Sequence, residues 1–504
     1  MSLKPFISEP QPLEGLAASR AYPWLVVGTV CVGAFLGQLD ASIAGLVLPT
    51  LEATFRAPVA DVEWVAISYL LVLAALVVPF GRLSDLAGRK MLYTGGFGVF
   101  IVGSALCGFA PGLGWLIVFR ALQAVGAAML QANSVAIITA AVDRRRLGRA
   151  IGVQGAAQAI GLSIGPSVGG FLIDALDWRW VFFVAVPFGV LGSVLGWLVL
   201  PCTSRAAVRA AHRVQERFDW MGAVLLGPCV ALLLAGLTFV NAWGWTSPRF
   251  VLVSLLVVAG CAAFLAGERR AVSPLVDLSL FRLRLFSLGI VAGLLSYAVL
   301  FGSLFLVPFY LQRILGKTAG EAGLLLTPVA VALAVMAPLA GALTDRYGSR
   351  LPTAVGMCVS TLALLALAGI PSPSLPITLA LLAVLGVGLG LFTPPNNSAI
   401  MGAAPAHRLG TTGGILNMTR SIGTSLGVAL TGAVLGTLLN AQAGQHVGST
   451  LEANPAHLQV AVRDTLLFLA CLAGVSAALS AARGAPAVQP LPRQHAVTAE
   501  TVGV

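Results

Sequence analysis

Apolar residues in this chain come in blocks of about 20, the length of helix that crosses roughly 30 Å of hydrocarbon. Each block predicts a membrane span. Fourteen are found, near residues 23–49, 63–81, 91–110, 115–138, 148–173, 179–200, 219–240, 249–266, 285–312, 321–341, 351–370, 375–397, 410–440 and 462–482. The predicted fold class is an all-α polytopic membrane protein. The first block is longer than a signal-peptide core and has no small-residue cleavage site, so it reads as an uncleaved anchor. A polar, Pro-containing segment precedes it, and an Ala- and Pro-rich tail, expected to be disordered, starts at Arg483.

One polar stretch between blocks occurs twice. Gly81–Lys90 reads GRLSDLAGRK and Gly341–Arg350 reads GALTDRYGSR. Gly81, Leu83, Asp85, Gly88 and Lys90 align with Gly341, Leu343, Asp345, Gly348 and Arg350 at a constant offset of 260 residues. The stretch is predicted to be a tight polar turn. Span 5 also repeats: Gly148, Gly152, Ile160, Gly161, Ser163, Gly165 and Gly170 align with Gly410, Gly414, Ile422, Gly423, Ser425, Gly427 and Gly432 of span 13 at an offset of 262. A chain that repeats itself at this distance is expected to fold as two similar halves. The layout that follows is a tail (1–22), a six-helix half (23–200), two extra helices with basic linkers (201–284), a second six-helix half (285–482) and a tail (483–504). Two related halves with a site between them near the midplane are the plan of a rocking transporter.

Composition supports this picture. Hydrophobic residues make up 58% of the chain and charged residues 10%, against about 25% charged in soluble proteins. With the N-terminus inside, 22 of the 30 lysines and arginines fall on the inner side, six fall outside, and Arg120 and Arg420 lie within spans. That asymmetry predicts a multi-pass protein of the bacterial cytoplasmic (inner) membrane with both termini cytoplasmic. It also assigns the net charge of +11 to loops rather than to nucleic-acid binding. The seven cysteines are scattered and the five histidines fall in loops or tails. No metal-ligand set, disulfide frame, His-based proton relay or nucleophile–base pair is visible, so the sequence argues against an enzyme, a metal site or a bound cofactor.

The candidate chemistry lies in the few polar residues within spans. Asp40 sits in the middle of span 1, where a carboxylate costs about 2.5–3.5 kcal/mol by insertion scales. Gly33, Gly37, Asp40 and Ala44 share one face. Asp40 either exchanges a proton or meets a cationic substrate, or it is a packing residue permanently paired, for instance with Arg120. Arg120 heads a stripe with Ala127, Gln131 and Ser134 in span 4, and a positive charge near Asp40 would favour its ionised form. In span 5, Gln154, Gln158, Gly161, Gly165 and Gly169 share a face. Together with Gly170 and Pro166, which is expected to bend the span, they suggest close packing between the halves. Span 12 places Asn396 and Asn397 after Pro394 and Pro395, an expected helix break. Span 13 carries Asn417 and Arg420 with no opposite charge in the same span. Span 9 lines up Tyr297, Phe301 and Phe305. The candidate substrate-cavity residues are Gln123, Gln131, Gln154, Gln158, Tyr297, Phe301, Asn396, Asn417 and Arg420. Asp85, just past the end of span 2, is placed to meet a helix N-terminus or an arginine across the interface. With Gly81, Gly88, Arg89, Asp345 and Arg350 it reads as a cytoplasmic latch, the alternative being a solvated turn.

These residues resemble a known family. GRLSDLAGRK is similar to the G-x-L-x-D-x-x-G-R-K loop of the major facilitator superfamily. Arg120-x-x-Gln123 resembles its R-x-x-Q-G element, with Ala124 where glycine is usual. Gly161–Gly170 (GLSIGPSVGG) resembles its antiporter motif. Leu39 through Pro49 is similar to the span 1 motif of fourteen-span drug:proton antiporters, with Ser42 in place of threonine. The resemblance implies the major facilitator fold and proton-coupled export of lipophilic, cationic or neutral compounds, driven by the proton gradient. It makes Asp40 the proton or cation site, with Arg120 assisting. The glycines Gly161, Gly165, Gly169 and Gly170 with Pro166 become the interface that sets exchange direction, and Asp85 with Arg89 the latch. The partners implied are a small-molecule substrate, protons and membrane lipid, with a periplasmic adaptor protein left open. Other readings are an exporter of one metabolite, such as a siderophore, sugar, lipid or self-made antibiotic, and a non-transporting membrane sensor or scaffold.

Overall fold

The computed structural model describes residues 11–202, 218–317, 319–370, 374–443 and 455–483. Residues 1–10, the basic stretch 203–217 and the tail 484–504 lie outside that set. In lipid a chain has no water to pair with, so each apolar block closes its own amide–carbonyl bonds as a helix. Among the described residues fourteen helices are long and apolar enough to cross a membrane. They are α1 (Tyr22–Phe55), α2 (Trp64–Ala87), α3 (Arg89–Gly108), α4 (Leu113–Ala141), α5 (Leu147–Ala175), α6 (Trp180–Val199), α7 (Trp220–Trp243) and α8 (Pro248–Arg270). The second six are α9 (Arg284–Phe309), α10 (Thr327–Tyr347), α11 (Arg350–Gly369), α12 (Leu375–Ala403), α13 (Leu409–Ala443) and α14 (Pro455–Ala482). The architecture is two six-helix halves, α1–α6 and α9–α14, with α7 and α8 added at the side.

Two local expectations are corrected. Gly81–Lys90 is not a turn: α2 continues through Gly81 to Ala87, and α3 starts at Arg89. Only Gly88, at φ 114°, interrupts the helix, a conformation that suits glycine because it has no Cβ. Arg82, Asp85 and Lys90 are buried, so their charges are met by protein rather than by bulk water. Likewise α12 runs unbroken through Pro394 and Pro395. Each proline removes one donor, but neighbouring helices and hydroxyl side chains can restore such losses in a bundle.

The apolar cores are arranged asymmetrically along the membrane normal. The end of the bundle carrying Gly88 and Gly348 is called here the loop end. One core joins the first half to Ile400, Met401, Leu409 and Ile415 of the second half, all near the loop end. Towards the far end the halves keep separate cores, one around Leu39, Val65 and Phe182 and one around Val299, Leu306 and Leu469. Helix α7 rests on α2 and α13, while α8 packs chiefly on α7 and leaves Leu252, Leu255 and Val258 exposed.

Candidate functional site

Asp40 projects into the interior of the first half, where it is buried with Arg120. Arg120 Nη1 donates to both Asp40 oxygens, at 3.1 and 2.9 Å, and to Gln123 Oε1 at 2.6 Å. Its Nε donates to the Val65 carbonyl at 3.2 Å. Gln123 Nε2 donates to Asp40 Oδ1 at 2.9 Å and to Ser104 Oγ at 3.2 Å. The guanidinium carbon lies 4.3 Å from the Tyr69 ring centroid and 5.6 Å from that of Phe182, within cation–π range. Helices α1, α2, α3, α4 and α6 therefore meet on one ion pair. Sequence reasoning assigned Gln123 to the substrate cavity; it instead orients Asp40. It missed Tyr69 and Ser104, because an aromatic or a serine in an apolar helix gives no signal by itself.

A cavity of about 350 Å³ lies between the halves. Its wall includes Gln38 and Ser42 of α1, Gln158 of α5, Tyr297 and Phe301 of α9, Thr327 of α10, Thr393 of α12 and Arg420 of α13. Asp40 is not on that wall. Gln38 and Ser42 flank it by two positions, and two helical positions are about 200° of rotation, so a cavity-facing Gln38 and Ser42 turn Asp40 the other way. Two smaller recesses share Gln158 and Arg420 with the main cavity. One is lined by Gln131 and the other by Gln154 and Asn417. Asn396 was also expected at the cavity; it is buried against Gly289 and Gly293 of α9 instead, and its neighbour Asn397 reaches the recess.

Contacts between the halves concentrate at the loop end and come in two related pairs. Asp85 of α2 accepts from the Gly410 and Thr411 amides, each at 2.9 Å, and from Thr411 Oγ1 at 3.1 Å. Asp345 of α10 accepts from the Gly148 and Arg149 amides at 2.7 and 3.0 Å. Each carboxylate thus meets the unpaired amides that begin a helix of the other half, which attract negative charge. Beside each, glycine faces glycine: a Cβ on Gly81 or Gly410 would strike the other's carbonyl, and the same holds for Gly341 and Gly148. Arg89 Nη2 donates to Asp85 and, across the interface, to the Ala406 carbonyl, both at 2.8 Å. Arg350 is the exception among the expected latch residues. Its Nε donates to the Ala481 carbonyl of α14 at 2.8 Å, a contact within one half, because the guanidinium lies next to the bare carbonyls that end α14.

The glycines of α5 divide by position. Gly148 and Gly152 face α10, whereas Gly161, Gly165 and Gly169 face Phe35, Ser42 and Ile43 of α1. The expected half-to-half role of the second set is therefore corrected: those glycines pack within the first half, on the helix that carries Asp40. Gly170 has open space beside it, and Pro166 lies within continuous helix. Helix α13 repeats the division, with Gly410 and Gly414 on α2, and Gly423 and Gly427 on α9.

Two six-helix halves closed at one end over a cavity define a polytopic membrane transporter. The chain belongs to the Major Facilitator Superfamily, whose family model matches residues 30–428. It is 34% identical over 419 residues to the multidrug resistance protein Stp of Mycobacterium tuberculosis, covering 82% of this chain and 76% of that one. It is 32% identical to the riboflavin transporter RibZ of Clostridioides difficile over 407 residues, covering 81% and 87%. Its identity to the tetracenomycin C resistance and export protein of Streptomyces glaucescens is 32% over 434 residues, covering 86% and 78%. Among solved structures, the human organic anion transporter MFSD10 superposes with a TM-score of 0.64 at 15% identity, covering 91% and 99%, which is a likeness of fold.

Proposed function

We propose that the protein is a proton-driven exporter of lipophilic small molecules, placed in the bacterial cytoplasmic membrane with the loop end facing the cytoplasm. The observation that carries this reading is the Asp40–Arg120–Gln123 cluster, a titratable group held at membrane depth inside the moving half. With the loop end taken as cytoplasmic, this conformation is outward-facing: both aspartates close the loop end, and the cavity reaches Gly323 and Thr327 towards the other side. A proton arriving at Asp40 removes the charge that pairs with Arg120. Arg120 keeps the Gln123 oxygen, the Val65 carbonyl and the Tyr69 ring, so it stays in place while α1 is released. Helix α1 carries α5 with it through Gly161, Gly165 and Gly169, and the other end of α5 holds Asp345. Neutralisation is thereby transmitted to the loop end, which opens to the cytoplasm and admits cargo. Return of the proton to the cytoplasm restores the ion pair and the closed loop end.

The test is cargo accumulation in inverted vesicles with an imposed proton gradient. One proton per cycle supports about 50-fold accumulation per 100 mV. Asp40→Asn is expected to insert and bind cargo but to equilibrate it without accumulation. Full gradient-driven accumulation by that variant overturns the coupling role. A narrower reading, export of one metabolite, draws support from the relatives named for riboflavin and tetracenomycin C; a metabolite profile of a knockout strain distinguishes it from broad drug efflux.

A further inference from the structure

We propose that Arg420 is the counter-ion of the cargo, and that the preferred cargo is an amphipathic organic anion whose capture frees Gln131 from the interface between the halves. This inference rests on the exporter reading and specifies its substrate. Arg420 lines the main cavity and both recesses. Its Nη2 donates to Gln131 Oε1, a neutral acceptor. Among the described residues no carboxylate pairs with it, and the cavity wall carries none. Asp40 is turned away from the cavity and taken by Arg120 and Gln123. The sequence reading gave cationic or neutral cargo and left room for an anion at the two buried arginines; a direct contact of a cation with Asp40 is removed by the geometry. A guanidinium at this depth is costly without an anion, and a carboxylate or sulfonate offers the two-pronged acceptor that fits it. Tyr297, Phe301, Leu304 and Leu333 supply an apolar bed for the rest of the molecule.

Gln131 gives the binding event a mechanical consequence. It belongs to α4, in the first half, and it holds two residues of the second half: its side chain accepts from Arg420, and its carbonyl accepts from Asn417 Nδ2 at 2.8 Å. An anion that takes Arg420 replaces the first of these contacts and leaves only the second. Gln131 is thus a competitor of the cargo.

The experiment uses the full chain in lipid nanodiscs and three fluorescent probes on one pyrene frame: 1-pyrenebutyrate, its methyl ester and pyrenebutyl-trimethylammonium. The anion is expected to bind about 10- to 100-fold more tightly than the cation, the worth of a hydrogen bond to a charged group. Arg420→Gln should bring the anion-to-ester affinity ratio close to one, and Arg420→Lys should keep part of the preference. Gln131→Leu should tighten anion binding, since the competitor is gone. Equal or tighter binding of the cation, an unchanged anion-to-ester ratio in Arg420→Gln, or no binding of any probe overturns the assignment. So does weaker anion binding in Gln131→Leu, which would make Gln131 a ligand. Gradient-driven transport is read separately in vesicles. Protonophore-sensitive movement with no anion preference would keep the exporter and remove the role of Arg420; anion preference with no gradient response would do the reverse.

Discussion

Arg120 illustrates how one side chain makes a buried charge tolerable. Its donors are divided among Asp40, Gln123 and the Val65 carbonyl, and its face lies on Tyr69. Removing one member of such a pair leaves the other charged and unsolvated, which costs about 3–5 kcal/mol, whereas removing both is far cheaper. Arg120→Gln alone is therefore expected to destabilise the protein strongly. Asp40→Asn combined with Arg120→Gln should recover most of the loss, as read by chemical denaturation of the purified protein. A loss in the double variant equal to the sum of the two single losses would show that the two charges do not depend on one another. Asp40 and Arg120 were both legible as isolated charges in apolar helices. Their partnership was left open, because sequence spacing carries no information on which helix lies beside α1.

At the scale of the helix, α5 behaves as a two-ended element. Its loop-end glycines touch α10 and its far-end glycines touch α1. Alanine at the two ends should therefore act differently. Gly152→Ala forces a methyl against the Ala337 carbonyl and is expected to weaken the closed loop end, lowering turnover with little change in KM. Gly161→Ala forces one against the Phe35 carbonyl and is expected to loosen the link between Asp40 and α5, so that accumulation per unit gradient falls. Turnover and accumulation ratio measured in the same vesicles separate the two. The run of glycines was visible in the sequence as a surface for close packing. Its division between two neighbours was not, because a glycine marks that a backbone comes close and says nothing of whose. The same gap explains α2: two glycines and four charges suggested a tight polar turn, yet the charges are buried and the helix continues to Ala87.

For the whole molecule, the proposed coupling predicts a pH-dependent equilibrium. On that proposal, neutralising Asp40 removes its ion pair with Arg120 and favours opening at the loop end, and restoring the pair favours closure. With spin labels replacing Arg144 and Gly402, which border the loop-end cleft, the distance between them should lengthen as the pH falls. Asp40→Asn, neutral at every pH, should give a distance distribution that favours the long distance and does not change with pH. Asp85→Asn weakens one closure and should raise the long-distance population at all pH values while keeping the pH response. A distance that does not respond to pH in the native protein would disconnect Asp40 from the loop end. The fourteen-helix plan and the two halves were readable from apolar block length and from the repeat, since both are properties of the chain alone. The cavity wall was read only in part, since it is assembled from six helices.

The two aspartate–amide closures also have a consequence for how the halves recognise each other. Each half offers a carboxylate and receives one, on equivalent helices, so patch meets patch in both directions, as in a two-fold symmetric dimer. Such a surface contains its own instructions for docking and does not need a peptide tether to find its register. Two fragments divided between α6 and α7 and produced in the same cell are expected to reassemble into an active transporter, and Asp85→Asn with Asp345→Asn in those fragments should prevent it, as copurification of one fragment with the other would report. The covalent chain between the halves would then be a convenience of synthesis, and the memory of a once-duplicated subunit would reside in the joint itself.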